Sequence, residues 1–216
     1  ELGNSDFSKM QEWITKIKDK DARRLYALST ARKIMPVDDF SATHNIPNGG
    51  GTYGLKEAGT DYDLEKNYSK SNIPIIAHEV GQFPVYPLWT EIDKYTGVLK
   101  ARNLELCKAS AVENGLDQQD AVFHKASGAL QKVLYKALIE NFYRTPSCAG
   151  FQMLSMQDYQ GQGEALVGWL DAFYDDKGTT AAPYFKQYNN EVVPLARFKK
   201  FIWQNTEDFE AKLQVA

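Results

Sequence analysis

Apolar residues recur at spacings of three and four through Phe7, Met10, Trp13, Ile14 and Ile17, which predicts an amphipathic helix with Ser5 or Asp6 as its cap. The period then shortens. Residues 24–30 (Arg-Leu-Tyr-Ala-Leu-Ser-Thr) and 39–44 (Asp-Phe-Ser-Ala-Thr-His) read as strands, the second ending in polar residues. Residues 45–52 (Asn-Ile-Pro-Asn-Gly-Gly-Gly-Thr) read as a flexible loop, and 62–69 as a weak helix. The run Ile73-Pro74-Ile75-Ile76-Ala77-His78-Glu79 reads as a short buried strand that delivers a carboxylate at its C-terminal end.

From Leu88 to Arg144 the pattern is mostly helical. Val122, Ala126, Ala129, Val133, Leu134, Ala137, Leu138 and Phe142 suggest a broad packing stripe, with His124 at the surface or boundary. Residues 149–156 predict another buried strand, running through Gln157-Asp158-Tyr159 into the Gly-rich turn 160–163. Strand and helix alternate, as in a parallel sheet with its active residues on the loops after the strands. Near the end, 196–203 and 209–215 show period-two alternation on either side of a turn, the start of an antiparallel unit. Trp13, Trp169 and Trp203 read as core. Tyr86, Trp89 and Tyr159 are candidates to stack on the face of a ligand.

Composition narrows the function classes. With 216 residues and 43% hydrophobic content the chain can bury a sizeable core. Its 25 basic and 28 acidic residues are intermixed, so it lacks the electrostatic footprint of a nucleic-acid binder. No apolar run approaches the roughly 20 residues that span a bilayer. Cys107 and Cys148 are too few for a disulfide framework and read as free, buried thiols. The loop 45–52 lacks the Gly-Lys-Ser/Thr ending of a phosphate loop, and His78-Glu79 with His44 does not match the His-Glu-x-x-His zinc pattern. No metal or other cofactor is expected.

A glutamate at one strand end, followed by another three strands later, is how (β/α)8 glycosidases place two catalytic carboxyls, and Glu1 and Glu79 have that order. The opening Glu1-Leu2-Gly3, the run 74–82 (Pro-Ile-Ile-Ala-His-Glu-Val-Gly-Gln) and the run 150–163 (Gly-Phe-Gln-Met-Leu-Ser-Met-Gln-Asp-Tyr-Gln-Gly-Gln-Gly) together resemble glycoside hydrolase family 2. That family includes β-galactosidases, β-glucuronidases and β-mannosidases, and the likeness is to the C-terminal part of its catalytic barrel, particularly in bacterial polysaccharide-degrading members.

The resemblance implies an α/β fold: a partial (β/α)8 TIM barrel over residues 1–192, holding strands four to eight and their helices. Residues 193–216 would begin a β-sandwich. Strand four would end at Glu1, the acid/base, and strand seven at Glu79, the nucleophile. Residues 24–30, 40–44 and 149–157 would be strands five, six and eight. The asparagine expected before the acid/base would precede Glu1. Gln157-Asp158-Tyr159 stands where many members carry an aromatic residue.

Candidate substrate-binding residues beyond the strand ends are His44, Asn45, Gln82, Trp89, Gln157, Asp158 and Tyr159. Each also has a loop-fixing reading, and for Glu79 the alternative is a strand-end carboxylate paired with an arginine. His78 could orient Glu79, but strand alternation would turn it to the outside of the barrel wall. The opening Glu-Leu suggests a piece of a longer enzyme, secreted or periplasmic, whose N-terminal remainder would be a partner beside the carbohydrate substrate. Alone, the chain is expected to be inactive and open to self-association through unpaired sheet edges. The competing expectation is a non-catalytic fragment that contacts carbohydrate or serves only structure.

Overall fold

The structure, a computed structural model, describes residues 6–28, 34–43, 45–46, 50–51, 58–162 and 165–216. The architecture is mixed α/β, built as two compact units. The first comprises residues 1–80, 138–153 and 191–216, and the second residues 81–137 and 154–190.

In the first unit, helix α1 (Phe7–Lys20) starts where expected, since Asp6 accepts a hydrogen bond from the Lys9 backbone N–H at 3.0 Å. Its apolar face is only partly covered: Phe7, Met10 and Ile14 are half-buried, while Trp13 is 54% exposed, against the core position expected for it. No strand forms over 24–28, and residues 29–30 lie outside the described residues. The physical reason is a competing set of acceptors. The Tyr26 N–H donates to Asp39 and the Leu28 N–H to Asp38, at 2.9 and 2.8 Å, so carboxylates take donors that a ladder would have used.

Strand β1 (Ser41–Thr43) is shorter than expected, and β2 (Asn45–Ile46) pairs antiparallel with β3 (Gly50–Gly51) where a flexible loop was anticipated. Helix α2 (Glu65–Tyr68) is a single turn, held by a bond from the Ser147 hydroxyl to Glu65 at 2.6 Å. Strand β4 (Ile75–Val80) is central in a three-stranded sheet ordered β1-β4-β5, with β5 spanning Cys148–Met153. Both pairings are parallel, which matches the adjacency expected of the segments assigned to strands six, seven and eight. No closed barrel exists among the described residues.

Strands β6 (Pro194–Arg197) and β7 (Lys212–Val215) pair antiparallel, a shorter ladder than the alternation predicted. The segment between them folds on aromatic contacts, with Phe209 against Phe198 and Trp203 at ring separations of 5.7 and 5.3 Å. The pair is tied to residues 59–63. Arg197 donates to Asp63 at 2.7 Å, and a Cβ on Gly59 would lie 2.3 Å from the Lys199 carbonyl oxygen, so only glycine fits there.

The second unit carries helix α3 (Arg102–Glu113) and the residues of helix α4 (Asp120–Tyr143) through Ala137. A short 3₁₀ helix, Trp89–Lys94, precedes them, and helix α5 (Ala182–Phe185) comes late in the unit. Leu138 and Phe142, further along the same helix, are buried as the stripe predicts, but within this unit α4 departs from it. Val122 and Val133 are 60% and 53% exposed, and Ala126 and Ala129 are exposed with them. The buried face is His124, Gly128, Gln131 and Tyr135, at the same helical spacing but largely polar.

Irregular backbone explains that choice. The segments facing α4 are not paired in a sheet, so their carbonyls need donors from elsewhere. Gln131 donates to the carbonyls of Phe83 and Val167 at 2.8 and 2.9 Å, and Tyr135 to Val167 at 3.2 Å. His124 is therefore core rather than surface, its nitrogens 2.7 and 2.8 Å from the carbonyl oxygens of Tyr86 and Lys177. Of the cysteines, both free, Cys148 is half-buried and Cys107 exposed, where burial was expected for each. No helix among the described residues is long and apolar enough to cross a membrane.

Candidate functional site

Two places gather chemistry, one in each unit. In the first, β4 carries a bulge. Ala77 pairs with Phe151 and Val80 with Met153, so His78 and Glu79 together oppose Gln152. Glu79 takes a positive φ of 54°, in the left-handed region that non-glycine residues seldom adopt. Alternation therefore breaks: Ile75, Ala77 and Val80 are buried, while His78 and Glu79 are both half-buried.

That overturns the expectation that His78 turns away from its neighbour. The His78 side chain hydrogen-bonds Gln152 through Nδ1 at 2.8 Å, and its Nε2 lies 4.0 Å from Glu79 Oε1. The bulge thus gathers an imidazole and a carboxylate at the C-terminal end of the central parallel strand, with Gln152 orienting the ring. Glu1 and His44 lie outside the described residues, as does the side chain of Asn45.

In the second unit, segments 94–99, 157–161 and 172–174 enclose a cleft of about 750 Å³. Two of its lining residues, Asp158 and Lys94, are held in charge pairs, the first buried and the second partly exposed. Asp158 accepts from Lys177 at 2.9 and 3.0 Å and from the Gly168 N–H at 2.8 Å. Lys94 bonds Asp171, and Asp175 at 2.6 Å. Burial pushes the Asp158 carboxyl up from its ordinary value against the pull of Lys177. Burial acts on Asp171 in the same sense, but the Lys94 ammonium and the N–H groups of Asp175 and Phe173 outweigh it and hold that carboxyl below its ordinary value.

Aromatic rings form the wall. Tyr95 meets Phe173 edge to face at 4.8 Å, and burial pushes its hydroxyl up to about 12, with Glu91, Asp171 and Asp158 adding to the effect. Tyr159 is 56% and Tyr174 65% exposed, and Tyr174 has a φ of 69°. Gly161 is what lets the Tyr159 ring lie across the turn, since a Cβ there would come within 2.3 Å of the ring.

The candidates named from sequence separate accordingly. Gln157 and Tyr159 line the cleft, while Gln82 is exposed elsewhere in the unit. Asp158 lines it too, but its carboxylate is 1% exposed and engaged with Lys177 and Gly168, so it does not present itself to a hydroxyl; residue 163 of the turn that follows lies outside the described residues. Trp89 is core rather than a stacking platform, 8% exposed with its indole N–H donating to the Asp117 carbonyl at 2.9 Å. Tyr86 is half-buried edge-on between Trp89 and Phe123.

Sequence reasoning missed Tyr95, Gln160, Phe173 and Tyr174. The aromatic pair Phe173-Tyr174 amid Asp171, Asp175 and Asp176 was the available signal. Among the described residues, no group of three His, Cys, Asp or Glu is placed to hold a metal ion. Compared with known proteins, the chain matches no family model and no curated protein.

Proposed function

We propose that the chain is the Glu79-bearing part of a retaining glycoside hydrolase that cleaves β-glycosidic bonds of oligo- or polysaccharides. The observation that carries this reading is the bulge at His78-Glu79. Left-handed backbone on a glutamate costs about 1–2 kcal/mol, and strain of this kind concentrates where a side chain must be aimed for function. It lies at the carboxyl end of a parallel strand, the end that bears the active residues of α/β barrels.

In this reading the Glu79 carboxylate attacks the anomeric carbon while a second carboxyl protonates the leaving oxygen, giving a covalent glycosyl-enzyme. Water then attacks that ester, with the second carboxyl acting as base, and the free sugar leaves with its anomeric configuration retained. Glu1 is the proposed acid/base. The finer architecture, a partial (β/α)8 barrel followed by the start of a β-sandwich in a secreted or periplasmic parent, belongs to the same proposal.

Trapping tests it. A 2-deoxy-2-fluoroglycosyl fluoride applied to the intact parent should label the peptide that contains Glu79. Label on any other carboxylate refutes the assignment. A second reading, a chain that contacts carbohydrate without cleaving it, draws support from the cleft of the second unit, whose one lining carboxylate is paired with Lys177. Turnover of aryl β-glycosides by the 216-residue chain alone would count against that reading and against the expectation that the isolated chain is inactive.

A further inference from the structure

Within the second unit the apolar stripe of α4 faces outward. Val122, Leu130 and Val133 are each more than half exposed, and Ala126 and Ala129 between them are exposed too. These residues recur at spacings of three and four on one side of the helix. The opposite side is fixed by the bonds of His124, Gln131 and Tyr135 to backbone carbonyls, so rolling the helix to bury the stripe would break them. The outer surface of a helix is ordinarily polar; an apolar one running about 16 Å from Val122 to Val133 marks a place where another element packs.

Shape and charge select that element. The small side chains of Ala126 and Ala129 lie between the larger Val122, Leu130 and Val133, the relief into which another helix inserts its side chains. Residues 121–139 contain Lys125, Lys132 and Lys136 and no acidic residue. At spacings of seven and four these lysines form a row along one border of the stripe, as flanking charges border a coiled-coil seam. Lys125 is exposed, and Lys132 lies over the Tyr184 ring at 4.6 Å. The other border, Phe123, Ser127 and Leu134, is half-buried and uncharged. A second copy of α4 brings no carboxylate to the lysine row in either direction, and antiparallel it sets lysine against lysine. We propose that the exposed face of α4 is a docking surface for an amphipathic helix of another protein, which lays an apolar seam on Val122, Leu130 and Val133 and acidic side chains along the Lys125 border. The surface lies within the second unit and makes no use of Glu79, so it is independent of the glycosidase reading.

The probe is a synthetic peptide of three heptads with leucine at both seam positions and glutamate at both flanking positions; its control carries lysine at the flanks. The full 216-residue chain, labelled at its methyl groups, is titrated with each. The glutamate peptide should shift the methyl resonances of Val122, Leu130 and Val133 saturably, and the lysine peptide should bind about tenfold more weakly or worse. Val133→Lys should weaken the glutamate peptide by about tenfold or more, the scale of one central apolar contact, with the melting temperature little changed. Lys125→Glu should narrow the preference between the two peptides, as should added salt.

Binding of neither peptide, equal binding of both, or binding of the glutamate peptide that survives Val133→Lys overturns the inference. A dimer in sedimentation velocity that Val133→Lys dissociates overturns it in favour of a second copy. Cosedimentation with phosphatidylcholine–phosphatidylglycerol vesicles that the same variant abolishes overturns it in favour of a membrane surface. Leu130→Ser, at a second exposed position of the stripe, repeats each measurement should Val133→Lys fail to fold. Failure of the trapping experiment above leaves this one standing, and the reverse also holds.

Discussion

Asp158 and Lys177 form an ion pair in which the side chains are only 1% and 2% exposed, with the Gly168 N–H and the Leu166 carbonyl completing their partners. Two desolvated charges are tolerable together and costly apart. Lys177→Met should therefore destabilise the chain by about 3–5 kcal/mol in urea unfolding, and Asp158→Asn added to it should restore much of the loss.

The same pair sets a pH signature. Burial already raises the Asp158 carboxyl above its ordinary 3.8, and removing Lys177 takes away the opposing ammonium. A folded-state value above the unfolded one means that the native state takes up the proton first. The Lys177→Met chain should thus gain stability as pH falls from neutrality toward 3.8, where the parent chain gains less. Equal pH slopes in the two proteins would contradict this account.

Asp171 runs the other way. Its carboxyl is held below the ordinary 3.8, so the stability it adds is present above that value and lost as pH falls through the depressed one. Asp171→Asn should cost about 1 kcal/mol at neutral pH, a modest figure because Lys94 is partly exposed, and should flatten the acid limb of the stability curve. Chemical denaturation at a series of pH values between neutrality and strong acid reads both effects.

Backbone strain at Glu79 separates position from chemistry. With φ at 54°, Glu79→Gly should be more stable than Glu79→Ala by about 1 kcal/mol, since glycine alone occupies that region without penalty. Glu79→Gln keeps the backbone and the shape, so its fold should persist while the proposed turnover of the intact enzyme is lost. An unfolded Glu79→Gln would mark the carboxylate as a structural group instead.

The orientation of α4 can be checked on its two faces. His124→Ala removes partners from the carbonyls of Tyr86 and Lys177 and should destabilise by about 2–3 kcal/mol. Val133→Lys, on the exposed face, should stay within about 0.5 kcal/mol of the parent. The opposite ranking would restore the apolar stripe as the buried one.

Local pattern was enough for the existence of elements. The spacing of Phe7, Met10, Ile14 and Ile17 with the Asp6 cap specifies α1, the β-branched run before Glu79 specifies β4, and residues 149–153 specify β5, because each depends on neighbours within a turn or a strand. The carboxylate at the end of β4 was legible for the same reason. Which groups those elements bury was not.

The polar face of α4 is chosen by carbonyls at Phe83, Tyr86, Val167 and Lys177, which lie 36 to 53 residues from the side chains that reach them. The pairing of Asp158 with Lys177 spans 19 residues, and the bulge that turns Glu79 toward His78 depends on Gln152 across the sheet. Hydrophobic periodicity records what a segment prefers to bury against an apolar partner; it holds no record of a distant unpaired carbonyl or a distant ammonium. Only the tertiary structure supplies those partners, and with them the cleft and the geometry of the candidate site.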